Sequence, residues 1–329
     1  MVRKVSVVGG SGFVGTNLCQ VLHDKNCDFE IIDRKLSQRF PDKCKIADIR
    51  DLATLRGQIT GDIVVLLAAA HRDDIARKSD YYDTNVGGTQ NITDICTELG
   101  VKKIIFASTV AVYKPSVDCV DEHGLVGPFN EYGKTKFKAE EILRNWSKLE
   151  DNSVIIVRPT VIFGEGNRGN VFNLFNQIEN RRFVMVGSGA NKKSMAYVLN
   201  VAAFFYFCIN LNVKYQLVNY TDHPSLSMNE LVDTVKRKLG IKEIFVPRLP
   251  YNIGLLFGLV ADICSKLTGK KFPISSIRIK KFVTPSEFTS NNNHFADFNA
   301  PYDMIDGIDR TLNSEFISPD PNRETYFTE

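Results

Sequence analysis

The sequence predicts an α/β protein built on a doubly wound parallel sheet, with a smaller C-terminal α/β lobe for substrate. Three observations predict it. Strand-like and helix-like segments alternate through the first half of the chain, the rhythm of right-handed βαβ crossovers. A glycine triplet, Gly9-x-x-Gly12-x-x-Gly15, stands between the first apolar run and the first helical segment. Asp33 closes the second strand 18 residues after Gly15. Together these describe a Rossmann-type dinucleotide fold.

The elements follow in order. Val5 to Val8 is a short apolar run, and Phe13 to Leu22 has helical spacing. Phe29 to Asp33 is a second strand. Asp62 to Ala70 is nearly all apolar, as a strand covered on both faces should be. Tyr81 to Leu99 predicts one long helix, Lys103 to Ser108 another buried strand, Asn130 to Leu149 a helix and Ser153 to Val157 a strand. After Arg158-Pro159 the rhythm changes. Glycines and asparagines crowd Gly164 to Asn170, and Ser227-Met228-Asn229-Glu230 has capping-box spacing ahead of a helix through Leu239. The expected division is a dinucleotide domain over 1–162 and a mainly substrate-binding lobe over 163–329, discontinuous, with some segments returning to the sheet.

Composition narrows the function. The 329 residues carry a formal net charge of +3 and no dense basic run, which gives no reason to expect nucleic acid. Seven cysteines without a Cys-x-x-Cys pair read as reduced thiols of a cytoplasmic protein, and scattered histidines suggest no metal site. The N-terminal apolar run is too short for a signal peptide, and no run is long enough to span a bilayer.

The glycine triplet has a physical reason. The chain must turn tightly and bring the backbone of Gly9, Gly12, Phe13, Val14 and Gly15 against a pyrophosphate at a helix N-terminus. The Asp33 carboxylate would accept hydrogen bonds from ribose hydroxyls and repel a 2′-phosphate, which favours NAD; Arg34 and Lys35 pull the other way. Asp48-Ile49 reads either as a contact to the adenine edge or as a helix cap ahead of Arg50 to Leu55. Ala68-Ala69-Ala70 offers small side chains where a cofactor could lie close over the sheet edge.

Tyr132 and Lys136 stand four apart and so share a helical face. Ser108-Thr109 ends the preceding strand, and ligands in such sheets bind at strand carboxyl ends. A hydroxyl, a phenol and an ammonium are therefore expected together. An ammonium about 4 Å from the phenol, at an effective dielectric of about 20, would favour phenolate by roughly 4 kcal/mol, about three pK units. Lys136, helped by the positive nicotinamide ring, would bring Tyr132 to about 7, and Tyr132 would then take a proton from a sugar hydroxyl while hydride leaves for the cofactor, with Thr109 bonded to the same oxygen.

These motifs resemble the extended short-chain dehydrogenase/reductase family. The resemblance runs over Gly9 to Gly15, Asp33, Asp48-Ile49, Asn85 to Thr89, Ser108 to Tyr113, Tyr132 to Lys136 and Arg158-Pro159 to Gly164. It implies catalysis by Thr109, Tyr132 and Lys136, and cofactor contacts at Asn85, Ser108 and Pro159. The implied reaction is oxidation at sugar C4, rotation of the keto sugar and return of hydride to its other face. Dehydratases of the family carry Asp-Glu after the catalytic Thr; Val110-Ala111 stands here, which leaves epimerisation or simple NAD(P)-dependent oxidoreduction. Leu66 to Asp74, Arg158 to Phe175 and Ser194 to Val198 look like the bacterial branch that epimerises N-acetylglucosamine and N-acetylgalactosamine on undecaprenyl diphosphate, in O-antigen or related glycan assembly. Epimerases of free UDP-sugars, the alternative, carry Asn where Val161 stands and Arg where Lys193 stands. Asn167, Arg168, Asn170, Lys192 and Lys193 are the candidate contacts to a diphosphate carrier. A homodimer seam through 81–99 and 130–149 is implied in the same way. His71-Arg72-Asp73-Asp74 is either a gate or an exposed helix entry.

Tyr251 to Leu267 is rich in large apolar residues, with Lys266, Lys270, Lys271, Arg278, Lys280 and Lys281 at its end and beyond. Such a helix either packs in a core or dimer, or lies on the inner membrane surface with its lysines on anionic lipid. Asp262 and Lys266 argue against a spanning helix.

Overall fold

The computed structural model describes residues 3–71, 77–149, 151–241, 246–268 and 275–328. Its strands are β1 Val5–Val8, β2 Phe29–Asp33, β3 Cys44–Ile46, β4 Ile63–Leu66, β5 Lys103–Ala107, β6 Ser153–Pro159, β7 Val161–Phe163, β8 Met185–Val186, β9 Lys192–Lys193, β10 Met195–Tyr197, β11 Tyr215–Tyr220, β12 Leu226–Ser227 and β13 Arg248–Leu249. The helices are α1 Phe13–Asp24, α2 Leu52–Leu55, α3 Ser79–Tyr81, α4 Gly88–Leu99, α5 Glu131–Trp146, α6 Asn170–Glu179, α7 Val198–Asn210, α8 Met228–Lys238, α9 Tyr251–Thr268, α10 Ser276–Val283 and α11 Met304–Leu312.

Seven strands form one parallel sheet in the order β11-β6-β5-β4-β1-β2-β3. The order reverses between β1 and β4, so a crevice opens at their carboxyl ends, the usual ligand position in such sheets. Both faces are covered. One carries Val5, Val7, Ile31 and Ile105 against Leu18 of α1 and Phe205 of α7; the other carries Val64, Ile104 and Ile156 against Ile92 of α4 and Leu143 of α5. Strands buried on both sides need continuous apolar runs, which is why these segments do not alternate. A third core, with Phe163, Phe175, Leu231 and Ile308, builds the C-terminal lobe, and Phe13 at the start of α1 packs into it. Although they follow β7 and β10 in the chain, α7 and β11 join the main sheet.

Two elements depart from their expected form. The fourth strand is short because Leu67 and Ala68 both donate to the Val8 carbonyl, at 2.8 and 3.0 Å, which turns the chain off the sheet. The long helix expected over 81–99 is interrupted by a π-helical turn, Tyr82–Gly87, between α3 and α4. Such turns often mark sites. Here it brings Asn85 into the interior.

The helix expected at the capping box is α8, with both reciprocal Ser227–Glu230 bonds in place. All seven cysteines are free thiols, and Cys19, Cys96 and Cys208 are buried. Among the described residues no helix is long and apolar enough to cross a membrane.

Candidate active site

The glycine loop shows why glycine is required. Gly9 has φ +88°, and a Cβ there would lie 2.4 Å from the Ala68 nitrogen; a Cβ on Gly15 would lie 2.3 Å from the Gly9 oxygen. The loop thus packs directly against β4's end and lets α1 start close to the sheet. Gly12 caps α1 without a side chain, and a Cβ there would meet only the Gly9 oxygen, at 3.4 Å. The first turn of a twelve-residue helix, with Phe13 and Val14, therefore faces the crevice with its positive end uncovered by any cap. Asp33 sits at the carboxyl end of β2. Its carboxylate accepts from Ser11 N (3.0 Å) and Lys35 N (3.1 Å), which fixes it beside the loop, while Arg34 is exposed. These features fit a dinucleotide: a pyrophosphate at the uncapped helix start and a ribose at Asp33.

Several expected cofactor contacts serve the frame instead. Asn85 is buried and spends its amide on the Ala70 backbone (2.8 and 2.9 Å) and on Thr135 Oγ1 (2.9 Å), so it ties the Ala68–Ala70 strand end to α5. Ser108 turns its hydroxyl to Glu140 Oε1 at 2.5 Å, away from the crevice. The helix cap at α2 is Asp51; Asp48 instead forms an ion pair with Arg50 at 2.6 Å, which holds its carboxyl below the usual range. Ile49 is buried against Gly88, and Pro159 ends β6 opposite Tyr220.

Of the three residues expected to act, Thr109 and Tyr132 lie near one another, and Lys136 is buried one turn further along α5. Thr109 follows β5, and its Oγ1 caps the short turn Val110–Val112. That turn lies hard against the start of α5, since a Cβ on Gly133 would stand 2.3 Å from the Ala111 oxygen. Gly133 therefore sets the close approach of this turn to the start of α5, which brings Thr109 near the half-buried Tyr132, close enough for its hydroxyl to act on the phenol. Lys136, one turn on, is 1% exposed, with its Nζ 3.9 Å from the centroid of the Phe106 ring.

The electrostatics correct one expectation. Burial pushes the Tyr132 phenol up to about 12, against a downward pull from Thr109 and with Tyr81 adding to the rise. Burial also brings Lys136 down to about 7, with the Glu140 carboxylate opposing that fall. The phenol acidified by its neighbouring ammonium is thus not a property of the chain without its ligands. The reason is that desolvation acts on both groups at once.

Beneath the triad lies a polar network that the motifs did not flag. Arg158 donates to Glu140 through Nε (2.8 Å) and Nη2 (2.5 Å), and both residues are at most 1% exposed. Its guanidinium stacks 4.7 Å from the Tyr113 ring, and the Tyr113 hydroxyl donates to Asn219 Oδ1 at 2.8 Å. Gly133, Glu140 and Arg158 were all legible as parts of Tyr-Gly-x-x-Lys-x-x-x-Glu and Arg-Pro, but spacing alone gives them no role.

The expected diphosphate contacts are placed differently. Asn167 is buried, accepts from Thr328 Oγ1 (2.8 Å) and donates to the Ile162 carbonyl. Arg168 pairs with Glu315 at 2.7 Å and stacks on Phe172, and its backbone N–H donates to the Tyr326 carbonyl. Both hold the 324–328 segment, whose Tyr326 ring lies 5.6 Å from that of Phe13. Lys193 is not open to the crevice; its Nζ donates to the carbonyls of Lys281 (2.8 Å) and Thr284 (2.6 Å), at the end of α10. Asn170 is the exposed first residue of α6, Lys192 pairs with Glu287, and Val161 is exposed on β7. His71 is described and exposed; Arg72, Asp73 and Asp74 lie outside the described residues.

Comparison with known proteins agrees with this geometry. The chain is 46% identical over 99% of its length, and 99% of the relative's, to a protein of Escherichia coli O157:H7 named N-acetyl-alpha-D-glucosaminyl-diphospho-ditrans,octacis-undecaprenol 4-epimerase. It is 28% identical to UDP-glucose 4-epimerase of Vibrio cholerae, over 82% of this chain and 86% of that one. The solved UDP-glucose 4-epimerase of Thermotoga maritima superposes with a TM-score of 0.74 at 16% identity, covering 94% of this chain and 97% of that chain, a likeness of fold. The model of the NAD dependent epimerase/dehydratase family matches residues 5–219, so the chain belongs to that family and its dinucleotide is NAD.

Proposed function

We propose that this protein is an NAD-dependent sugar 4-epimerase acting on N-acetylhexosamine carried by undecaprenyl diphosphate. Inversion at C4 of the gluco sugar gives the galacto sugar. The carrier and sugar are inferred from the relative that is 46% identical end to end. The observation that carries the reaction class is the approach of Thr109 to Tyr132 across the Gly133–Ala111 packing, with Lys136 buried one turn away, beside a turn whose residues 110 and 111 are valine and alanine. No carboxylate stands there to expel water, which favours epimerisation over dehydration.

When bound, NAD supplies a hydride acceptor that is restored within each turnover. The chain's own part is proton handling. Tyr132 takes the C4 hydroxyl proton and Thr109 bonds the same oxygen, so that a C4 ketone forms. After the keto sugar turns over, Tyr132 returns the proton. A phenol held at about 12 needs positive charge beside it to act as a base near neutrality, and Lys136 is the cation in place for that. In this reading residues 1–162 hold the dinucleotide and 163–329 mainly the carrier and sugar, with α7 and β11 of the second part returned to the main sheet.

The same reading extends to a membrane surface. On α9, Gly254 and Gly258 face inward against Val186 and Ser276, while Ile253, Leu256, Phe257, Val260 and Ile263 face out. Leu256, Phe257 and Ile263 are 60, 59 and 58% exposed. Ile277, Arg278, Lys280 and Lys281 are exposed on the adjacent α10; Lys266 and Leu267 have no described side chains, and Lys270 and Lys271 lie outside the described residues. Apolar side chains beside cations suit the headgroup boundary of an anionic bilayer, where a polyprenyl carrier resides.

The test offers the purified protein UDP-N-acetylglucosamine and undecaprenyl-diphospho-N-acetylglucosamine separately. Epimer from the lipid-linked sugar supports the assignment. Epimer from the nucleotide sugar alone refutes the carrier, and steady net formation or loss of NADH refutes epimerisation.

A further inference from the structure

Lys136 presents a problem of charge. It lies within the interior over a phenylalanine ring, and its task requires an ammonium beside a second cation, the ring of oxidised NAD. Desolvation and like-charge repulsion both favour losing its proton. Something in the chain must oppose them.

Among the described residues, Glu140 is the anionic group placed to do so. Glu140 stands four residues after Lys136 on α5, hence on the same face, and is itself fully buried. It is not free to move. Arg158 of β6 grips both carboxylate oxygens, and Ser108, the residue before Thr109, donates to one of them. Glu140 thus meets the base's helix, the strand end bearing the catalytic hydroxyl and the next strand of the sheet. We propose that Glu140 is a positioning residue for the reaction, whose carboxylate, locked by Arg158 and Ser108, keeps Lys136 charged and keeps Thr109 in register with Tyr132.

Among the described residues, the titratable and charged groups around Lys136 are few. Tyr132 and Glu140 share its helix. Arg158 lies on β6 beyond Glu140, with Tyr113 against its guanidinium, and Tyr81 of α3 acts on Tyr132. Arg158 binds Glu140, and the carboxylate raises Lys136 against burial.

This rests on Tyr132 as the base, and the experiment separates the two. Four NAD-loaded proteins are compared with the wild type: Tyr132→Phe, Glu140→Gln, Glu140→Asp and the neutral pair Glu140→Gln/Arg158→Gln, which removes the stranded guanidinium. Turnover is followed against pH, and phenolate formation at residue 132 is read by ultraviolet titration as the difference from Tyr132→Phe. Loss of the carboxylate should move the alkaline limb of turnover down by about one to two pH units and raise the phenolate midpoint. Glu140→Asp, which keeps the charge, should restore much of both. An unmoved limb and midpoint in a folded Glu140→Gln or paired variant, with only a lower melting temperature, would overturn the proposal. So would failure of both to fold, which assigns the pair to the fold alone. Full turnover by Tyr132→Phe would instead remove the base assignment.

Discussion

Helices α5 and α9 break the same rule in opposite directions. Charged side chains ordinarily face water and large apolar ones the core. Yet α5 buries Lys136 and Glu140, while α9 turns Leu256, Phe257 and Ile263 outward and packs through two glycines. Each inversion costs stability, and neither improves the fold. In α5 the cost concentrates charge where proton transfer is proposed. In α9 it leaves a surface that water does not favour, suited to a non-aqueous neighbour.

The contrast can be broken most sharply at α5. Tyr132→Phe should lower turnover by about 10³-fold or more, with the melting temperature and NAD retention unchanged, since a general base contributes roughly 10²–10⁴. Gly133→Ala should cost about 10²-fold in turnover and about 1–3 kcal/mol of stability in denaturant titration, because its methyl would collide with the Ala111 carbonyl. A variant as active as wild type would show that the turn relaxes freely.

At α9 the expected effects are smaller and confined to lipid. Leu256→Glu with Phe257→Glu should lower co-sedimentation with anionic vesicles about tenfold while leaving melting temperature and NAD retention intact. Unchanged sedimentation would return this helix to an ordinary protein contact.

The smallest effect concerns stability. The folded pKa of Lys136, about 7, lies below its ordinary 10.5, so above pH 7 the unfolded chain holds a proton that the folded one has lost. Stability from this group therefore rises with pH between those values, and burial of the ammonium is a burden below about 7. Lys136→Met, without NAD, should melt higher than wild type at pH 6, by a margin that narrows toward pH 9. A constant margin would mean that the lysine does not titrate there.

What the sequence disclosed follows the range of the interactions. The glycine turn, Asp33, the parallel strands and the Thr109–Tyr132–Lys136 grouping are written in short motifs or in burial on both faces, so pattern suffices. The structural partners of Asn167 and Arg168 were not legible because Thr328 and Glu315 lie 161 and 147 residues away, and an Asn-Gly-rich segment looks the same whether it meets a ligand or a distant part of the chain. The partners of Lys193 were hidden in the same way, two carbonyls at the end of a helix some 90 residues later. The rise of the Tyr132 phenol to about 12 in the chain without ligands was hidden for another reason. Spacing gives proximity, but not how much water the fold removes.

The stretch from Ile317 to Arg323 is exposed, whereas Tyr326 beyond it bonds Gly166 through its backbone and rests on Phe13 with its ring. Residues 324–328 are therefore a short staple joining the glycine-loop helix to the turn after β7. Ending the chain at Arg323 would unfasten it and leave the sheet and its two flanking cores whole.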